Sequence, residues 1–325
     1  MSQVKSPTLS AGLYAVDLQI HSQVATGSVS TTTELQYVPH FYLAHPLTDR
    51  LTAGFGVTVP FGLGTEWSDA PMTTYATENS VSDTVYSFAL GYEATSQWNI
   101  GATLDIHSTE FAFGAQALEI EGQDNGVGFS LGTQYSVTDS HHVGFTYRYA
   151  PTLDLEGTER VIALGLENAV AYNGIALPAT AALSYNFTPS AKWDLGVSVE
   201  WINWDSLNTV SPQGGVANQA LAFDWDTSYM YELGGTYVTD NGWSFSAGYV
   251  YNQNSLPDST FNPAVSDADR HWLSCGLGRQ YEQLSWYLAY QYAFSERTVT
   301  QNAQGLNGDY QAEANSLMLT LTYEL

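Results

Sequence analysis

Residues 238–251 read VTDNGWSFSAGYVY, a short turn followed by a strand pattern that decides the fold. After the turn, apolar and polar residues alternate, with Trp243, Phe245, Ala247, Tyr249 and Tyr251 against Ser244, Ser246 and Gly248. A period of two predicts a β-strand with one apolar and one polar face. Strands of this kind follow five further short turns, which read PLTDRL (46–51), TSQW (95–98), VTDSHHV (137–143), TPSAKW (188–193) and YEQLSW (281–286).

The short turns carry aromatic residues, and the other connections are mostly much longer and polar. Four turns place a tryptophan directly after them, namely Trp98, Trp193, Trp243 and Trp286. Short turns at one end and long loops at the other are typical of an outer-membrane β-barrel. A soluble sandwich would also alternate. Aromatics at both ends of the apolar face, together with Gly and Ser on the polar face, favour the barrel with a partly filled lumen.

We predict an all-β fold, a transmembrane antiparallel up-and-down β-barrel of about fourteen strands that occupies residues 1–325 as a single domain. The predicted strands are 9–25, 31–46, 49–62, 79–95, 97–117, 124–137, 141–157, 178–188, 191–207, 221–238, 242–256, 268–281, 283–299 and 312–325. An even number leaves both chain ends on one side, with the six short turns, which we take as periplasmic. The predicted external connections are 26–30, 63–78, 118–123, 158–177, 208–220, 257–267 and 300–311.

The composition of the chain limits the kinds of partner that it can bind. The 325 residues carry a formal net charge of −25, from 8 Lys and Arg against 33 Asp and Glu, which excludes a nucleic-acid partner. Acidic external loops would suit divalent cations that bridge to the outer-membrane lipid and lipopolysaccharide. The alternative interpretation is that the charge keeps an apolar chain soluble before insertion. The single cysteine, Cys275, excludes an intrachain disulfide and a cysteine-based zinc site.

The first ten residues, MSQVKSPTLS, contain no apolar stretch of the kind found in a signal peptide. An outer-membrane protein requires a signal peptide for export. We therefore expect the sequence to represent either the mature chain with an added Met or a chain that lacks its true N-terminus.

Three segments together resemble the FadL-type outer-membrane transporters of long-chain fatty acids and other hydrophobic compounds. They are residues 236–295, with DADRHWLS (267–274) before a Gly-x-Gly strand, residues 177–207, which end in Glu-Trp-x-x-Trp, and residues 39–67. The resemblance implies a fourteen-stranded barrel in the bacterial outer membrane and an N-terminal plug with an Asn-Pro-Ala element. This chain enters its first strand almost at once, so the plug segment is apparently missing. It also ends in Leu325, where an aromatic residue is more usual.

The stretch GFGVTVPFGLG (54–64) predicts an interruption of the barrel wall. It contains Gly54, Gly56, Pro60 and Gly62, and proline cannot donate to the hydrogen-bond ladder while glycine weakens it. In the resembled family, a kink in the third strand makes a lateral opening through which the hydrophobic ligand leaves. The alternative is a strand-end bulge without a role in transport.

The predicted loop 158–177 is more apolar than a loop in water should be. Its residues Val161, Ile162, Leu164 and Leu166 are candidates for ligand binding, because an exposed apolar patch often marks a binding site. Part of the loop is compatible with a short helix. The resemblance implies an external groove for acyl chains, shared with the loop at 118–123. Alternatively, these residues pack over the barrel mouth.

Basic residues are scarce, so their positions are informative. Arg148 lies on the predicted lumen face, where a charge needs a partner, and the candidates for that partner are Asp105, Asp194, Glu200 and Glu232. Arg160, Arg270 and Arg297 lie towards the external end. Each arginine could hold a fatty-acid carboxylate through a bidentate hydrogen bond, or belong to a structural ion-pair network.

The sequence predicts transport without an enzymatic step, a cofactor or a metal. The leading hypothesis is passive uptake of a long-chain fatty acid or similar hydrophobic small molecule, with release through the lateral opening. A general diffusion porin or structural barrel is the second hypothesis, and an outer-membrane hydrolase is the third. The seven histidines show no metal-ligand spacing. Asp267, Asp269, Arg270 and His271 are expected to anchor a loop, and Cys275 is expected to face lipid.

Overall fold

The computed structural model describes residues 4–217 and 220–325. Within them, eighteen strands join in one sheet. They are β1 (Thr8–Val24), β2 (Gly27–Ser30), β3 (Gln36–Pro46), β4 (Leu51–Glu66), β5 (Glu78–Thr95), β6 (Trp98–Ala115), β7 (Leu118–Thr138), β8 (His141–Tyr149), β9 (Thr152–Val161), β10 (Leu166–Ala176), β11 (Thr180–Ser190), β12 (Trp193–Ile202), β13 (Pro212–Gly214), β14 (Ser228–Val238), β15 (Trp243–Asn252), β16 (Arg270–Tyr281), β17 (Leu284–Val299) and β18 (Gly308–Glu324).

Fourteen of the described strands form a closed antiparallel barrel, which confirms the predicted fold. The wall omits β2, β9, β10 and β13, which lie in the external connections. Closure comes from β1, which pairs with β18 from Thr8 opposite Glu324 to Val24 opposite Gly308. Because the ends of the sheet pair with each other, the sheet closes on itself into a barrel. The six predicted turns all lie at the end that carries both chain termini.

The predicted external loop at 118–123 is wrong. These residues begin β7, and β6 pairs with β7 without interruption from Trp98 opposite Tyr135 to Ala115 opposite Leu118. Only residues 116–117 connect the two strands. The strand continues because Leu118 and Ile120, which are buried, alternate with Glu119 and Glu121, a two-residue period that holds beyond the membrane.

The predicted loop 158–177 is largely a second hairpin. Strands β9 and β10 pair from Val161 opposite Leu166 downwards, and the three residues Ile162–Leu164 at its tip form a 3-10 helix. Further 3-10 helices lie at Met72–Thr74, Trp204–Ser206 and Asp258–Thr260. Residues 218–219 of the predicted loop 208–220, and residues 1–3 at the N-terminus, lie outside the described residues.

The wall has an apolar outer face, as the alternation in the sequence predicts. Large apolar side chains remain exposed on the outer face, for example Leu288, Leu319 and Leu321. Cys275 is exposed on its strand, as expected. No helix in the described part of the chain has the length and apolar character to cross a bilayer.

Two apolar clusters cover the external end of the barrel. The first, which we call the β18-side cluster, consists of Ile20, Val24, Val29, Trp67, Met72, Ala76, Leu256, Phe261, Val299, Leu306 and Tyr310. The second, the β9-side cluster, consists of Leu118, Ile120, Leu153, Leu155, Val170, Tyr172, Ile175, Leu207 and Val210. Trp225 packs against both of them, so it marks the line along which the two halves of the covering meet.

Buried polar side chains tie the external loops to the strands. Glu159 on β9 is fully buried, and its carboxylate accepts hydrogen bonds from the backbone N–H groups of Val216 and Ala217. On the opposite side, the Arg297 guanidinium bonds Asp258 at 2.7 Å and also donates to the Leu256 carbonyl. Burial acts to raise the pKa of the Asp258 carboxyl, but hydrogen bonds from Arg297 and Thr300, with the arginine charge, hold that pKa below its usual value.

Candidate functional site

The barrel wall is interrupted between β3 and β4. These two strands pair only from Pro46 opposite Thr52 to Phe41 opposite Val57. Above Phe41, β3 keeps its pairing with β1 as far as Gln36. Residues 36–40 of β3 therefore have no ladder partner on β4. At ~3.3 Å per residue, this interruption, which we call the wall window, is ~16 Å long.

A β-bulge on β4 separates it from β3. In the pairing with β5, Thr58 lies opposite Val85 and Phe61 lies opposite Asp83, so β4 has one residue more than β5 between these pairs. The extra residue bends a bulged strand locally. Proline occurs on both strands beside the window, as Pro39 on β3 and Pro60 on β4, and neither has an N–H group to donate.

The predicted kink residues lie on both sides of the bulge and within it. Gly54 and Gly56 are in the part of β4 that still pairs with β3. Pro60 is within the bulge and is exposed. Gly62 follows the bulge, where an added Cβ would lie 2.5 Å from the Val59 Cγ1. A larger residue at this position would have to displace the Val59 side chain.

A side chain closes the upper end of the window. Gln36 accepts a hydrogen bond from the Gly64 N–H at 2.6 Å and donates to the Gly64 carbonyl at 3.1 Å, replacing a ladder pair between the strands. Just above, the Thr32 N–H donates to the Glu66 carbonyl at 2.9 Å. Sequence reasoning missed Gln36, because its partner lies 28 residues away on a strand whose register was unknown.

A cavity of about 420 Å³ lies beside the bulge of β4, on the side of strands β5 to β8. Thr58, Pro60 and Phe61 of the bulge line one side of it. The Phe61 ring contacts Trp204 at a centroid distance of 5.8 Å, and Trp204 contacts Trp225 at 4.8 Å. A row of aromatic rings thus leads from the line between the two external clusters to the bulge.

The far side of the cavity carries a polar group that sequence reasoning missed. His107 on β6 lines the cavity and is only 2% exposed. Its Nδ1 lies 2.9 Å from the Asp83 carboxylate, which is fully buried and also accepts a hydrogen bond from Thr109. The sequence showed only that the two-residue alternation places both side chains on the inner face of neighbouring strands. Their contact depends on the β5–β6 register, in which Asp83 lies opposite Thr109.

Arg148 lines the same cavity, as its predicted place on the lumen face requires. Among the described residues, it forms no ion pair with a carboxylate. The predicted partner Asp105 instead accepts hydrogen bonds from Ser87, Thr103 and Ser130 at 2.6, 2.9 and 2.9 Å. Three hydroxyl groups satisfy this carboxylate, so the expected pairing with Arg148 is replaced and the guanidinium remains open to the cavity.

The other candidate arginines are held by carboxylates of the chain itself. Arg160 pairs with Glu119 on an exposed surface, and Arg270 pairs with Asp267 at 2.9 Å. Arg297 pairs with Asp258, as described above. The predicted anchoring of the loop before β16 is consistent with Asp269, which accepts hydrogen bonds from the Tyr251 hydroxyl and the Asn254 N–H.

The apolar candidates of the 158–177 segment divide into two groups. Ile162, Leu164 and Leu166 at the tip of the β9–β10 hairpin are exposed, Leu164 by 66%. Val161 packs against the β9-side cluster, to which Val170 and Tyr172 belong. The segment thus covers the mouth with its base and presents its tip to the outside.

A closed fourteen-stranded antiparallel barrel with large exposed apolar side chains is the architecture of an outer-membrane protein. The whole chain, residues 1–325, matches the family described as "Outer membrane protein transport protein (OMPP1/FadL/TodX)", and the protein belongs to that family. It is therefore a protein of the bacterial outer membrane. Among the described residues, no group of metal-ligating side chains is assembled.

Individual relatives agree with this assignment. The chain is 21% identical to the "Long-chain fatty acid transport protein" of Escherichia coli O6:H1, over 83% of this chain and 73% of the relative. In structure it resembles a Pseudomonas aeruginosa FadL homologue, with a TM-score of 0.87 at 17% identity, over 99% of this chain and 91% of the other. The Pseudomonas putida toluene transporter TodX gives a TM-score of 0.75 at 16% identity, with the same coverage. At these identities, the structural likeness concerns the fold.

Proposed function

We propose that this protein carries a long-chain fatty acid or a similar hydrophobic molecule passively across the outer membrane and releases it sideways through the wall window. The observation that carries the proposal is the interrupted pairing of β3 and β4, together with a bulge on β4 that also lines the cavity. A wall without complete strand pairing offers a hydrophobic ligand beside the bulge a route to the lipid. The family's relatives named for fatty acids and toluene support a hydrophobic ligand.

The path starts at the exposed apolar tip formed by Ile162, Leu164 and Leu166, where a hydrophobic molecule would first bind. It continues between the two external clusters at Trp225 and along the aromatic row to Phe61. Arg148, whose guanidinium is open to the cavity, is our candidate for contact with a polar head. The Arg160–Glu119 and Arg270–Asp267 pairs border the outer approach, and Arg297 stabilises it.

Deletion of Pro60 tests this function. The deletion removes the extra residue of the bulge, so that β4 and β5 regain a one-to-one register and β4 can continue its pairing with β3. We expect uptake of labelled oleate by whole cells to fall at least tenfold. Pro60→Ala keeps the number of residues, and therefore the bulge, and we expect it to retain uptake. Equal uptake by the deletion variant, with the barrel correctly folded, would show that the window is not the exit.

Two sets of external contacts complete the proposal. The exposed apolar face of the wall contacts the lipid of the outer membrane, including the acyl chains of lipopolysaccharide. The acidic external loops would bind divalent cations that bridge to its phosphates. Removal of divalent cations from the medium should then lower the retention of the protein in lipopolysaccharide-containing vesicles.

A diffusion porin is the second candidate, because a second cavity of about 750 Å³, with polar side chains in its wall, occupies another part of the barrel. Its walls include Ser198, Glu232 and Gln291. Steady conductance of the purified protein in a planar bilayer, unaffected by the Pro60 deletion, would favour this function. The coverage of the external mouth by two apolar clusters favours the transporter.

A further inference from the structure

Arg279 on β16 is the one basic side chain that the described wall strands turn towards the lipid. It shares the outer face of its strand with Cys275, which is exposed, since side chains four residues apart on a strand point the same way. The other basic residues within wall strands, Arg148, Arg270 and Arg297, lie on the opposite faces of their strands by the same alternation. A charge on the outer face therefore occurs at this position alone among the described wall strands.

Two tryptophans flank Arg279 on the neighbouring strands. Trp243 on β15 lies opposite Arg279 on one side, and Trp286 on β17 lies opposite it on the other. The guanidinium carbon is 4.7 Å from the centroid of the Trp243 ring, and the two indole rings contact each other edge-on at 5.9 Å. A guanidinium that stacks on a ring keeps the N–H groups at its edge available for hydrogen bonds.

The chain supplies no anion to Arg279. Among the described residues, no carboxylate forms an ion pair with its guanidinium, although the sequence has 33 acidic residues against 8 basic ones. Lys192, at the same end of the barrel, is by contrast neutralised by Asp240 at 2.7 Å. A cation on the lipid-facing wall is unfavourable unless a partner from outside the chain, water or an anion, contacts it.

Arg279 lies at the level of the lipid head groups. Strand β16 ends two residues later at Tyr281, beside the short turn to β17. Short turns face the periplasm in such barrels, and tryptophan is enriched where the membrane meets water. One step towards the membrane centre, the outer face carries the apolar row Phe245, Leu277 and Leu288. A lipid phosphate at the guanidinium would thus place its acyl chains along apolar side chains.

We propose that Arg279, flanked by Trp243 and Trp286, binds the phosphate of an anionic phospholipid in the periplasmic leaflet of the outer membrane. The planar guanidinium donates two parallel hydrogen bonds to phosphate oxygens, a geometry that suits its fork of N–H groups. Charge favours an anionic lipid, because a zwitterionic lipid such as phosphatidylcholine carries its own cation beside the phosphate. The site lies on the outside of the barrel and does not depend on the proposed transport.

Cys275 offers a probe for the acyl chains of a bound lipid. It is the single cysteine, it is exposed, and it lies ~13 Å from Arg279 towards the membrane centre at ~3.3 Å per residue. The full chain is labelled there with bimane and placed in phosphatidylcholine vesicles that contain phosphatidylglycerol with brominated acyl chains. Bromine quenches the label on contact, so the quenching measures the affinity of this position for phosphatidylglycerol relative to phosphatidylcholine.

For the wild type we expect a preference of about fivefold for phosphatidylglycerol, the value that corresponds to ~1 kcal/mol for one arginine at an anionic membrane surface. Arg279→Met should remove the preference, so that the two lipids compete equally. Arg50→Met is the matched control, because Arg50 is exposed in a turn at the same end of the barrel. It should keep the wild-type preference, and circular dichroism checks that each variant retains the barrel.

Equal affinity for the two lipids in the wild type, or an unchanged preference in Arg279→Met, overturns the site. An equal loss in Arg50→Met also overturns it, since the general charge of that end would then explain the preference. Loss of the preference in millimolar inorganic phosphate, but not in sodium chloride of the same ionic strength, would assign the guanidinium to a free anion. A preference that persists in inorganic phosphate supports the lipid site.

Discussion

Two seams of the same barrel differ in how completely they are closed. Strands β17 and β18 pair over sixteen residues, from Leu284 opposite Tyr323 to Val299 opposite Gly308. Strands β3 and β4 pair over six residues and then separate. Backbone groups in lipid must find partners within the protein, so an incomplete seam is unfavourable unless other groups replace the ladder. The comparison teaches that specific residues encode the interruption at β3–β4. A bulge creates it, prolines border it, and a glutamine side chain closes its upper end.

The largest effect is expected when a proline is placed in the complete seam. Ala289 pairs with Met318 on one side and Gly276 on the other, so Ala289→Pro removes an N–H from a wall that is paired on both sides. We expect a loss of ~5 kcal/mol in unfolding free energy, measured by urea unfolding in lipid vesicles.

Pro60→Ala is the reciprocal change in the incomplete seam. Pro60 lies in the bulge, without a ladder partner on β3, so its replacement should alter stability by less than ~1 kcal/mol. Similar losses in the two variants would contradict the distinction between the seams.

The next largest effect concerns the outer end of the complete seam, which Arg297 on β17 fastens to the loop containing Asp258. The Arg297 side chain is 9% exposed, and its removal leaves the Asp258 carboxylate without its cation. Arg297→Met should lower unfolding free energy by ~2 kcal/mol, because the charge-assisted hydrogen bonds to Asp258, which is 34% exposed, and to the Leu256 carbonyl are lost. The Thr300 N–H donates a hydrogen bond to Asp258 at 2.8 Å, so faster hydrogen exchange of this N–H would show that the loop has loosened.

Arg50→Met serves as the control for the loss of a positive charge. Arg50 is exposed in the turn between β3 and β4. We expect no measurable change in unfolding free energy. If both arginine variants unfold at the same urea concentration as the wild type, the Arg297 network does not strengthen the seam.

The smallest effect is expected at the upper end of the window. Gln36→Ala removes two hydrogen bonds to Gly64, each of which contributes about 0.5–1.5 kcal/mol. We expect a loss of ~1–2 kcal/mol and faster exchange of the Gly64 N–H, with exchange in the β17–β18 seam unchanged. Protection of Gly64 at the wild-type level would show that the neighbouring Thr32–Glu66 contact closes the window without Gln36.

The wall was predictable from the sequence because the alternation within each strand distinguishes its apolar face from its polar face. Residues 284–294 place large apolar residues at every second position, and a short turn precedes them, so their pairing with the preceding strand, β16, needs no distant information. The loop predicted at 118–123 failed for a local reason. The turn at Gln116–Ala117 contains none of the residues, glycine, proline or asparagine, that usually mark a turn in a sequence. In addition, the charged residues Glu119 and Glu121 made the start of β7 resemble a polar loop.

The candidate site was predictable only in part, because it depends on strand register. Pro60 and its glycines signalled an interruption from one strand alone. Gln36 and Gly64, or Asp83 and His107, become partners only when neighbouring strands are aligned residue by residue, and a shift of one position would turn each to the other face. The prediction that Arg148 faces the lumen followed from alternation, and Arg148 lines the cavity. Its predicted partner Asp105 instead accepts hydrogen bonds from three hydroxyl groups, two of them on neighbouring strands, which the sequence did not reveal.

The strands of the wall are unequal in length, and the rim of the barrel is therefore oblique. Strand β7 has 21 residues and β8 has 9. Since ~9–11 residues suffice to cross the bilayer, the β6–β7 hairpin rises by ~20 Å above it at the usual strand tilt. The window lies lower in the wall than that crest. Substitutions at residues 116–117 should therefore leave the strand pairing beside the window unchanged.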